Sequence, residues 1–411
     1  MAEPIRFVHF SDLHIGIENY GRLDPATGLN RRVMDFLDRL DDVVAYAIDH
    51  DADLVLFAGD AFRSRRPSPT HQREFAQRIR ALSVAGISVV LLVGNHDVPV
   101  MSQRASSIEI FSTLEVPGVI VADRPAVHRI VTRRGPVQIV TIPYPVRQRL
   151  LSREQFRRMS QEELDGAVSE VVIGMLEALR GQLSEDEPAV LMGHFSVAGA
   201  NWGSERSIMV GRDVTLPISA LVDARWAYVA LGHVHRHQSL NADDLPPVVY
   251  AGSLARVDFG EEHHPKGFCW VELEDGHASW RYVELPARRF VTLRIDVRGE
   301  SAPLSAIRAL VGAHDLSGAV VRLIVEMSPE QEPLLRDVDL VPLLADAFHT
   351  QINREVDRAV RDRLDGMEPA TMTPMHLLER YLGAIGKDES EFAPYLTAAQ
   401  SIFASNVVDE G

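Results

Sequence analysis

Five short polar motifs, each directly after a predicted strand, constrain the fold of this chain of 411 residues more than any other feature. Each motif follows a short apolar run with strand character, and helical patterns separate the first three runs. In α/β sheets, ligands bind beyond the carboxyl ends of the strands, so we expect all five motifs to converge on one cleft. In chain order, the motifs are Asp12-Leu13-His14, Gly59-Asp60, Gly94-Asn95-His96-Asp97, Gly193-His194 and Gly232-His233-Val234-His235.

The alternation of strands and helices in the first half of the chain predicts an α/β fold. From Val127 onward the predicted strands crowd together, and one helical stretch over about Gln161–Leu183 interrupts them. Two sheets with helices on their outer faces account for this crowding better than a single parallel sheet does. We therefore predict a layered sandwich with two central sheets.

Two smaller regions are expected after the sandwich. The segment Leu285–Phe290 indicates a linker, and the pattern then restarts as a small α/β unit of strand, helix and strand that ends near Met327. After Pro342 the pattern predicts helices over Leu343–Arg363, His376–Ile385 and Ala393–Asn406. These helices favour a docking element rather than a core of their own. The expected domains are residues 1–285, 286–327 and 328–411.

Composition excludes several classes of protein. Cys269 is the only cysteine, which excludes a disulfide framework and a metal site built from cysteines. The net charge of −16 counts against a nucleic-acid partner unless cations are clustered or metal ions supply positive charge. No apolar run approaches the ~18–20 residues of a membrane span, and the N-terminus lacks the core of a signal peptide. We therefore expect a cytoplasmic protein without a membrane partner.

The residue types in the five motifs suit a metal site. Carboxylate, amide and imidazole groups without a thiolate are the ligands that hard-to-borderline divalent ions such as Mn²⁺, Fe²⁺ or Zn²⁺ prefer. Each glycine before a motif lets the backbone and an ion approach closely. The sequence thus predicts a site for divalent ions in the cleft.

Basic and aromatic residues near the motifs offer contacts for a nucleic acid. An arginine cluster follows directly on Asp60, and a polar loop with a tryptophan follows His194. Arginines are suited to phosphate contacts, and an exposed aromatic ring is suited to stacking on a base. The candidate DNA-binding residues are Arg63, Arg65, Arg66, Asn201 and Trp202.

The ordered set of motifs resembles the calcineurin-like metallophosphoesterase superfamily. Its pattern of Asp-x-His, Gly-Asp, Gly-Asn-His-Asp/Glu, His and Gly-His-x-His is matched in full, and the resemblance covers roughly residues 5–285. The resemblance implies a four-layer metallophosphoesterase sandwich and a two-metal hydrolysis that needs no covalent enzyme intermediate. It also implies the ligands, with one ion held by Asp12, His14, Asp60 and His235 and the other by Asp60, Asn95, His194 and His233.

The same resemblance implies catalytic roles for His96 and Asp97. His96 is the one imidazole of the motifs that is not assigned to an ion. We expect it beside the leaving oxygen, as a proton donor or as a hydrogen-bond stabiliser of the transition state. Asp97 is expected to orient the His96 ring and to raise its pKa.

Within the superfamily, the chain is most similar to the SbcD-type nuclease subunits of DNA double-strand-break repair. The similarity rests on Ile5–Gly16, Leu56–Phe62 and Tyr250–Ser253, together with the appended α/β unit and its helical tail. It implies a Mn²⁺-dependent exonuclease and endonuclease that acts on DNA double-strand ends in repair and recombination, with an SbcC-type coiled-coil ATPase as partner. In this family the small unit caps the DNA cleft, the C-terminal helices dock on the ATPase, and homodimers are common.

Three alternatives stay open. The two ions are Mn²⁺ by resemblance, with Fe²⁺, Mg²⁺ and Zn²⁺ as alternatives. The substrate is DNA by resemblance, with small-molecule phosphodiesters or phosphomonoesters as the alternative. A non-catalytic DNA-end scaffold is the third alternative, although the complete ligand set counts against it.

Overall fold

A computed structural model describes residues 3–99, 104–147, 159–203, 214–241, 246–357, 373–384, 392 and 394–400 of the chain. The strands are β1 (Ile5–Phe10), β2 (Leu54–Phe57), β3 (Ser88–Leu92), β4 (Val119–Ala122), β5 (Ala126–Thr132), β6 (Gly135–Ile142), β7 (Ala189–His194), β8 (Ser196–Val197), β9 (Thr215–Leu216), β10 (Trp226–Gly232), β11 (Gln238–Ser239), β12 (Val248–Tyr250), β13 (Gly267–Glu274), β14 (His277–Glu284), β15 (Phe290–Asp296), β16 (Val320–Met327) and β17 (His349–Val356). The helices are α1 (Arg31–Asp49), α2 (Pro69–Val84), α3 (Ile110–Thr113), α4 (Gln161–Arg180), α5 (Pro303–Gly312), α6 (Asp337–Leu340) and α7 (Pro374–Ala384).

Two six-stranded sheets form the larger part of the molecule. The first has the order β14-β13-β1-β2-β3-β4, and the second has the order β11-β12-β10-β7-β6-β5. Strands β1 to β4 pair in parallel, as do β6, β7, β10 and β12. The carboxyl ends of β1, β2 and β3 therefore share one edge of the first sheet, and those of β7 and β10 share one edge of the second.

The alternation of side chains along β1 shows how the layers pack. Phe7 points into the core between the sheets, where its ring lies 5.8 Å from that of Tyr228. Val8 and Phe10 point the other way, into the core that the first sheet shares with α1 and α2. Helix α4 covers the outer face of the second sheet. The layers are therefore helix, sheet, sheet and helix, and the predicted four-layer sandwich is confirmed.

Helix α1 illustrates why the outer layer forms. The side chain of Asn30 accepts a hydrogen bond from the Arg32 N–H at 2.9 Å and caps the helix. Val33, Phe36 and Leu40 recur at intervals of three and four residues and are buried. This spacing gives one apolar face, which packs on the first sheet.

A three-stranded parallel sheet of order β15-β16-β17 forms a second, smaller unit. Strand β17 lies within Leu343–Arg363, where the sequence pattern predicted a helix, and that prediction is wrong for this segment. Because β17 pairs with β16 along its whole length, the expected boundary at residue 327 falls between two hydrogen-bonded strands of one sheet. Leu344, expected in the helical tail, is buried in the core of this unit. The small α/β unit therefore extends at least to Val356.

The described residues from Pro374 onward are helical. Helix α7 matches the predicted helix near His376, and residues 394–400 are helical within the predicted stretch 393–406. The rest of that stretch and residues 358–372 lie outside the described residues. Within the described chain, the helices are all too short or too polar to cross a membrane.

Candidate metal centre

Backbone hydrogen bonds tie the loop after β1 to the loop after β2. The Asp12 N–H donates to the carbonyl of Gly59 at 3.0 Å, and the His14 N–H donates to the carbonyl of Asp60 at 3.0 Å. The two strands are parallel neighbours, so both loops leave the sheet at the same edge. The first two motifs are therefore held side by side by the backbone alone.

Four residues of the motifs adopt a left-handed backbone conformation. The φ angle is 53° at Asp12, 48° at His14, 63° at Asp60 and 98° at His233. This conformation is uncommon for residues other than glycine, costs about 1–3 kcal/mol each, and persists only where the surroundings enforce it. Clusters of such residues are typical of functional sites.

Two glycines of the motifs leave room for neighbouring side chains. A Cβ atom at Gly59 would lie 2.4 Å from Nδ1 of His194, and a Cβ atom at Gly94 would lie 2.2 Å from Oδ1 of Asp60. Any side chain at either position would displace a residue of the cluster. The close approach that the sequence suggested for the motif glycines is thus present in the fold.

Asp60 lies at the centre of the cluster. Its Oδ1 accepts a hydrogen bond from the His96 N–H at 2.8 Å. Its Oδ2 lies 3.4 Å from Nε2 of His194 and 3.7 Å from Nε2 of His14. One carboxylate oxygen thus faces two imidazoles that come from different sheets.

The remaining motif side chains form two groups around Asp60. In one group, Nε2 of His14 lies 2.9 Å from Nε2 of His235, and an oxygen of Asp12 lies within 4.8 Å of both. In the other group, Oδ1 of Asn95 lies 3.0 Å from Nε2 of His194 and 3.0 Å from Nδ1 of His233. The structure therefore brings together all seven predicted ligands.

The protonation of these groups fits cation binding. Burial lowers the pKa of His14 well below its usual value, and the charge of Asp60 offsets only part of this effect, so the ring is neutral as a metal ligand must be. Burial alone would raise the pKa of Asp60, but the neighbouring imidazoles, first among them His194, hold it well below its usual value. Against the effect of burial, Asp60 raises the pKa of His194 to about 9. The buried carboxylate thus favours a positive charge beside it, which a divalent ion supplies in exchange for a proton.

Several of these side chains are held by hydrogen bonds on the side away from the cluster. Nδ1 of His194 donates to the carbonyl of Ala58 at 2.6 Å, so its Nε2 faces the cluster. The carboxylate of Asp12 accepts hydrogen bonds from the His233 N–H at 3.0 Å and from the Ser11 hydroxyl at 2.6 Å. Such partners fix the orientation and the tautomer of a metal ligand.

The structure contradicts the expected role of Asp97. Its carboxylate accepts hydrogen bonds from the N–H groups of Asp60 at 2.9 Å and Gly94 at 3.1 Å, from the Ala61 N–H, and from the Ser107 hydroxyl at 2.9 Å. Within the described residues these are its side-chain partners, and the His96 ring is not among them. Asp97 therefore holds the loop that carries Asp60 instead of orienting His96. Burial and the charge of Asp60 raise its pKa to about 6.

Replacement of Asp97 by alanine is expected to lower the free energy of unfolding by at least about 3 kcal/mol, because three buried N–H groups lose their acceptor at about 1–3 kcal/mol each. Ser107→Ala removes one hydrogen bond of the same carboxylate and is expected to cost about 1 kcal/mol. Urea unfolding in the presence of EDTA compares the two variants without a contribution from metal binding. Equal losses in both variants would contradict this role of Asp97.

His96 is oriented by a backbone carbonyl. Its Nδ1 lies 2.7 Å from the carbonyl oxygen of Arg63, which only accepts, so Nδ1 carries a proton. The ring meets that of His14 edge to face at 4.8 Å between centroids, and one of its nitrogens lies within 4.8 Å of ligand atoms of His14 and Asp60. His96 is half-buried, so the imidazole is at the edge of the cluster, and Nε2 is the ring nitrogen that the Arg63 carbonyl does not hold.

The candidate DNA-binding residues lie around the cluster. Arg63, Arg65 and Arg66 are exposed, and Nε of Arg65 donates to the carbonyl of Asn95 at 3.3 Å. The ring of Trp202 stands edge-on against that of His233 at 5.6 Å between centroids, and it is half-buried. Asn201 is exposed, and its backbone pairs with the side chain of Gln238. The remainder of the predicted polar loop, residues 204–212, lies outside the described residues.

Three residues near the cluster were missed by the sequence analysis. Glu261 lies 2.7 Å from Nδ1 of His235, and Lys266 lies 2.8 Å from Glu261. The ring of Tyr144 lies 5.8 Å from that of His233. All three lie outside the five motifs, and no spacing rule connects them to these motifs. Only the fold brings them to the site.

A family model describes the same region of the chain. The model for the calcineurin-like phosphoesterases matches residues 5–237, which is more than half of the chain and includes all five motifs. The chain belongs to the calcineurin-like phosphoesterase family. The resemblance found from the motifs is thereby confirmed, and so is the expected class of enzyme, a dinuclear metal-dependent phosphoesterase.

Similar proteins carry related names. The SbcD subunit of the nuclease SbcCD of Bacillus subtilis is 29% identical over 68% of this chain and 70% of that protein. The SbcD subunit of the nuclease SbcCD of Rhodobacter capsulatus is 29% identical over 90% of this chain and 89% of that protein. The DNA double-strand break repair protein Mre11 of Haloferax volcanii is 27% identical over 88% of this chain and 68% of that protein.

Proposed function

We propose that this phosphoesterase is a Mn²⁺-dependent DNA exonuclease and endonuclease that processes double-strand ends in repair and recombination. The observation that carries the proposal is the convergence of the motif side chains on Asp60, whose Oδ2 lies 3.4 Å from His194 and 3.7 Å from His14. The choice of DNA as substrate is supported by the names of the relatives in Bacillus subtilis and Haloferax volcanii. A DNA substrate also agrees with the expected cytoplasmic location.

The proposed ligand sets follow the two groups of side chains. Asp12, His14 and His235 would hold one ion together with Asp60. The second set shares Asp60 as a ligand and adds Asn95, His194 and His233. Imidazole, carboxylate and amide groups suit Mn²⁺, and Fe²⁺, Mg²⁺ and Zn²⁺ remain alternatives.

When bound, two divalent ions supply a water of lowered pKa and positive charge for the phosphoryl oxygens. The chain contributes the geometry, because the strained turns at Asp12, His14 and Asp60 hold these side chains in place before substrate binds. Asp97 keeps the Asp60 loop against Gly94 and so holds the shared ligand in position.

His96 is the proposed proton donor or hydrogen-bond donor for the leaving oxygen. Since Nδ1 is committed to the carbonyl of Arg63, Nε2 is the atom that would carry the transferred proton. The proposed orienting group is thus this carbonyl, in place of the carboxylate of Asp97.

The proposed DNA contacts surround the cluster. Arg63, Arg65 and Arg66 are exposed next to the loop of Asn95 and suit contacts with phosphates. Asn201 and Trp202 stand on the side of His233, where the indole would contact the sugar or the base. The three arginines place positive charge near the cluster, although the chain as a whole is negatively charged.

The proposal includes the regions beyond the sandwich. We infer that the unit built on β15, β16 and β17 caps the DNA cleft. The helices from α7 onward would dock on an SbcC-type coiled-coil ATPase, for which exposed Tyr381 on α7 offers apolar surface. The relatives from Bacillus subtilis and Rhodobacter capsulatus are named as subunits of a nuclease, which supports a partner protein.

Cleavage of end-labelled double-stranded DNA by the purified full chain tests the proposal. We expect DNA to be degraded with Mn²⁺ and not in EDTA, because the ions supply the activated water. Mg²⁺ is tested in parallel, and cleavage with Mg²⁺ but not with Mn²⁺ would contradict the choice of metal. The small phosphodiester bis-p-nitrophenyl phosphate is tested in parallel. Hydrolysis of this ester without cleavage of DNA would overturn the substrate, and metal binding without either activity would favour a scaffold.

A further inference from the structure

A fully buried ion pair lies behind His235, outside the five motifs. Oε2 of Glu261 lies 2.8 Å from Nζ of Lys266, and both side chains have 0% exposure. Burial of two charges away from water is costly, and such a pair is retained only where its geometry is well satisfied or where it serves a purpose. The surroundings of this pair satisfy both charges and place its carboxylate against the ring of His235.

Both charged groups are satisfied by hydrogen bonds. Oε1 of Glu261 lies 2.7 Å from Nδ1 of His235, and Oε2 also accepts from the Val257 N–H at 2.9 Å. Nζ of Lys266 donates to the hydroxyl of Ser253 at 2.7 Å and to the carbonyl of His235 at 3.3 Å. Lys266 therefore contacts the backbone of His235, and Glu261 contacts the ring of His235.

These contacts determine how the His235 ring is presented. A carboxylate only accepts hydrogen bonds, so Nδ1 of His235 carries the proton and Nε2 carries the lone pair. That Nε2 lies 2.9 Å from Nε2 of His14, which belongs to the same proposed ligand set. A negative charge behind the ring also makes Nε2 more basic and a stronger ligand.

We propose that Glu261 is a positioning residue for the metal centre, held in place by Lys266, and that it sets the affinity of the ion bound by Asp12, His14 and His235. This inference rests on the proposed assignment of His235 as a metal ligand. Glu261 does not touch the ion or the substrate and acts through the imidazole of His235.

The neighbouring residue provides a matched control. Glu262 follows Glu261 in the same short turn but points away from His235, and its carboxylate accepts hydrogen bonds from the Thr292 N–H at 2.8 Å and the Thr292 hydroxyl at 2.6 Å. Glu262→Gln therefore changes one carboxylate of this turn without changing the contact to His235. A general disturbance of the turn would affect both variants.

Calorimetric titration of Mn²⁺ into the metal-free full chain tests the inference independently of nuclease activity. In Glu261→Gln, we expect one of the two sites to bind Mn²⁺ about 10–100-fold more weakly and the affinity of the other to change little. Loss of a group that hydrogen-bonds to a metal ligand has an effect of this size. Glu262→Gln is expected to bind both ions as the wild type does. Thermal unfolding in EDTA shows whether each variant is folded.

A second variant separates the role of Glu261 from the cost of an unpaired lysine. Glu261→Gln alone leaves the charge of Lys266 buried without an opposite charge beside it, and this alone can destabilise the chain. The double variant Glu261→Gln with Lys266→Met removes both charges and is expected to show the same weakening at one site. Wild-type affinity in the double variant would overturn the inference.

Two further outcomes are distinguishable. The wild type could bind two ions while Glu261→Gln binds both with affinities within about twofold of the wild type, a change well below that expected for loss of a group that hydrogen-bonds to a metal ligand. Glu261 is then not a positioning residue, and the proposed centre stands. If the wild type binds no divalent ion, the proposed centre fails and this inference fails with it.

Discussion

Asp60→Ala is expected to abolish binding of both metal ions and to lower phosphodiester hydrolysis by more than about 10³-fold. Oδ2 of Asp60 faces His14 of one ligand group and His194 of the other, so its removal takes a carboxylate from both groups at once. Removal of a single preorganised donor to a transition state already costs about 10²–10³ in rate, and the loss of both ions should exceed this. Mn²⁺ content after dialysis and hydrolysis of bis-p-nitrophenyl phosphate measure the two effects.

Two variants make this experiment decisive. Asp60→Asn retains an oxygen that can accept from the His96 N–H but lacks the negative charge, so it should fold as the wild type does and still lose most of the bound metal. Asp315→Ala removes an exposed carboxylate of the second unit, which pairs with Arg289, and should leave both properties unchanged. One ion retained in Asp60→Ala would show that Asp60 is not shared between the two groups.

The convergence of the motifs was predictable because it follows from topology. Parallel strands direct their carboxyl ends to one edge, so Asp12, Asp60 and Asn95 had to lie close together once β1, β2 and β3 were recognised as neighbours. The second sheet adds His194 and His233 through the same rule. The layered arrangement was predictable for a similar reason, since apolar runs too crowded for one sheet require a second.

The fine contacts within the site were not predictable from the motifs. Asp97 follows His96 directly, and this adjacency suggested that the carboxylate orients the ring. In the fold, Asp97 is buried and turns towards the N–H groups of Asp60 and Gly94. Adjacent residues in a tight loop diverge in direction, and only the tertiary structure decides which polar groups each of them meets.

Strand β17 shows how tertiary contacts override a local pattern. The segment His349–Val356 contains few apolar residues, and its half-buried side chains do not alternate in a way that indicates a strand. The preceding Leu343 and Leu344 fit a helical spacing, which extended the predicted helix into β17. Pairing with β16 supplies the backbone partners that make this polar segment a strand.

Glu261 and Lys266 were missed for a related reason. They lie well beyond the last motif in the sequence, and nothing in their immediate neighbours distinguishes them from exposed charges. Their burial depends on the close packing of the segment after β12 against the loop that carries His235. A partner that supports a ligand from behind has no fixed spacing from that ligand, because the fold alone determines the contact.

His96→Ala is expected to lower turnover by about 10²–10⁴-fold, the usual contribution of a proton-transfer group, while both metal ions stay bound. The reason is the position of the ring, since Nδ1 is bonded to the carbonyl of Arg63 and Nε2 is left to exchange a proton at the edge of the cluster. Turnover is measured with saturating Mn²⁺ on end-labelled DNA, and Mn²⁺ affinity is measured separately. His50→Ala, at the end of α1, is a control that should behave as the wild type does.

A third variant decides between proton transfer and support of the loop. In His96→Asn, the amide nitrogen occupies the approximate position of Nδ1 and can still donate to the Arg63 carbonyl, but the side chain has no group that titrates. If His96 acts through Nε2, the asparagine variant loses as much turnover as the alanine variant. Recovery of most of the activity by asparagine would assign His96 a structural role. One of its nitrogens lies within 4.8 Å of ligand atoms of His14 and Asp60, so loss of bound Mn²⁺ in both variants would instead make His96 a ligand.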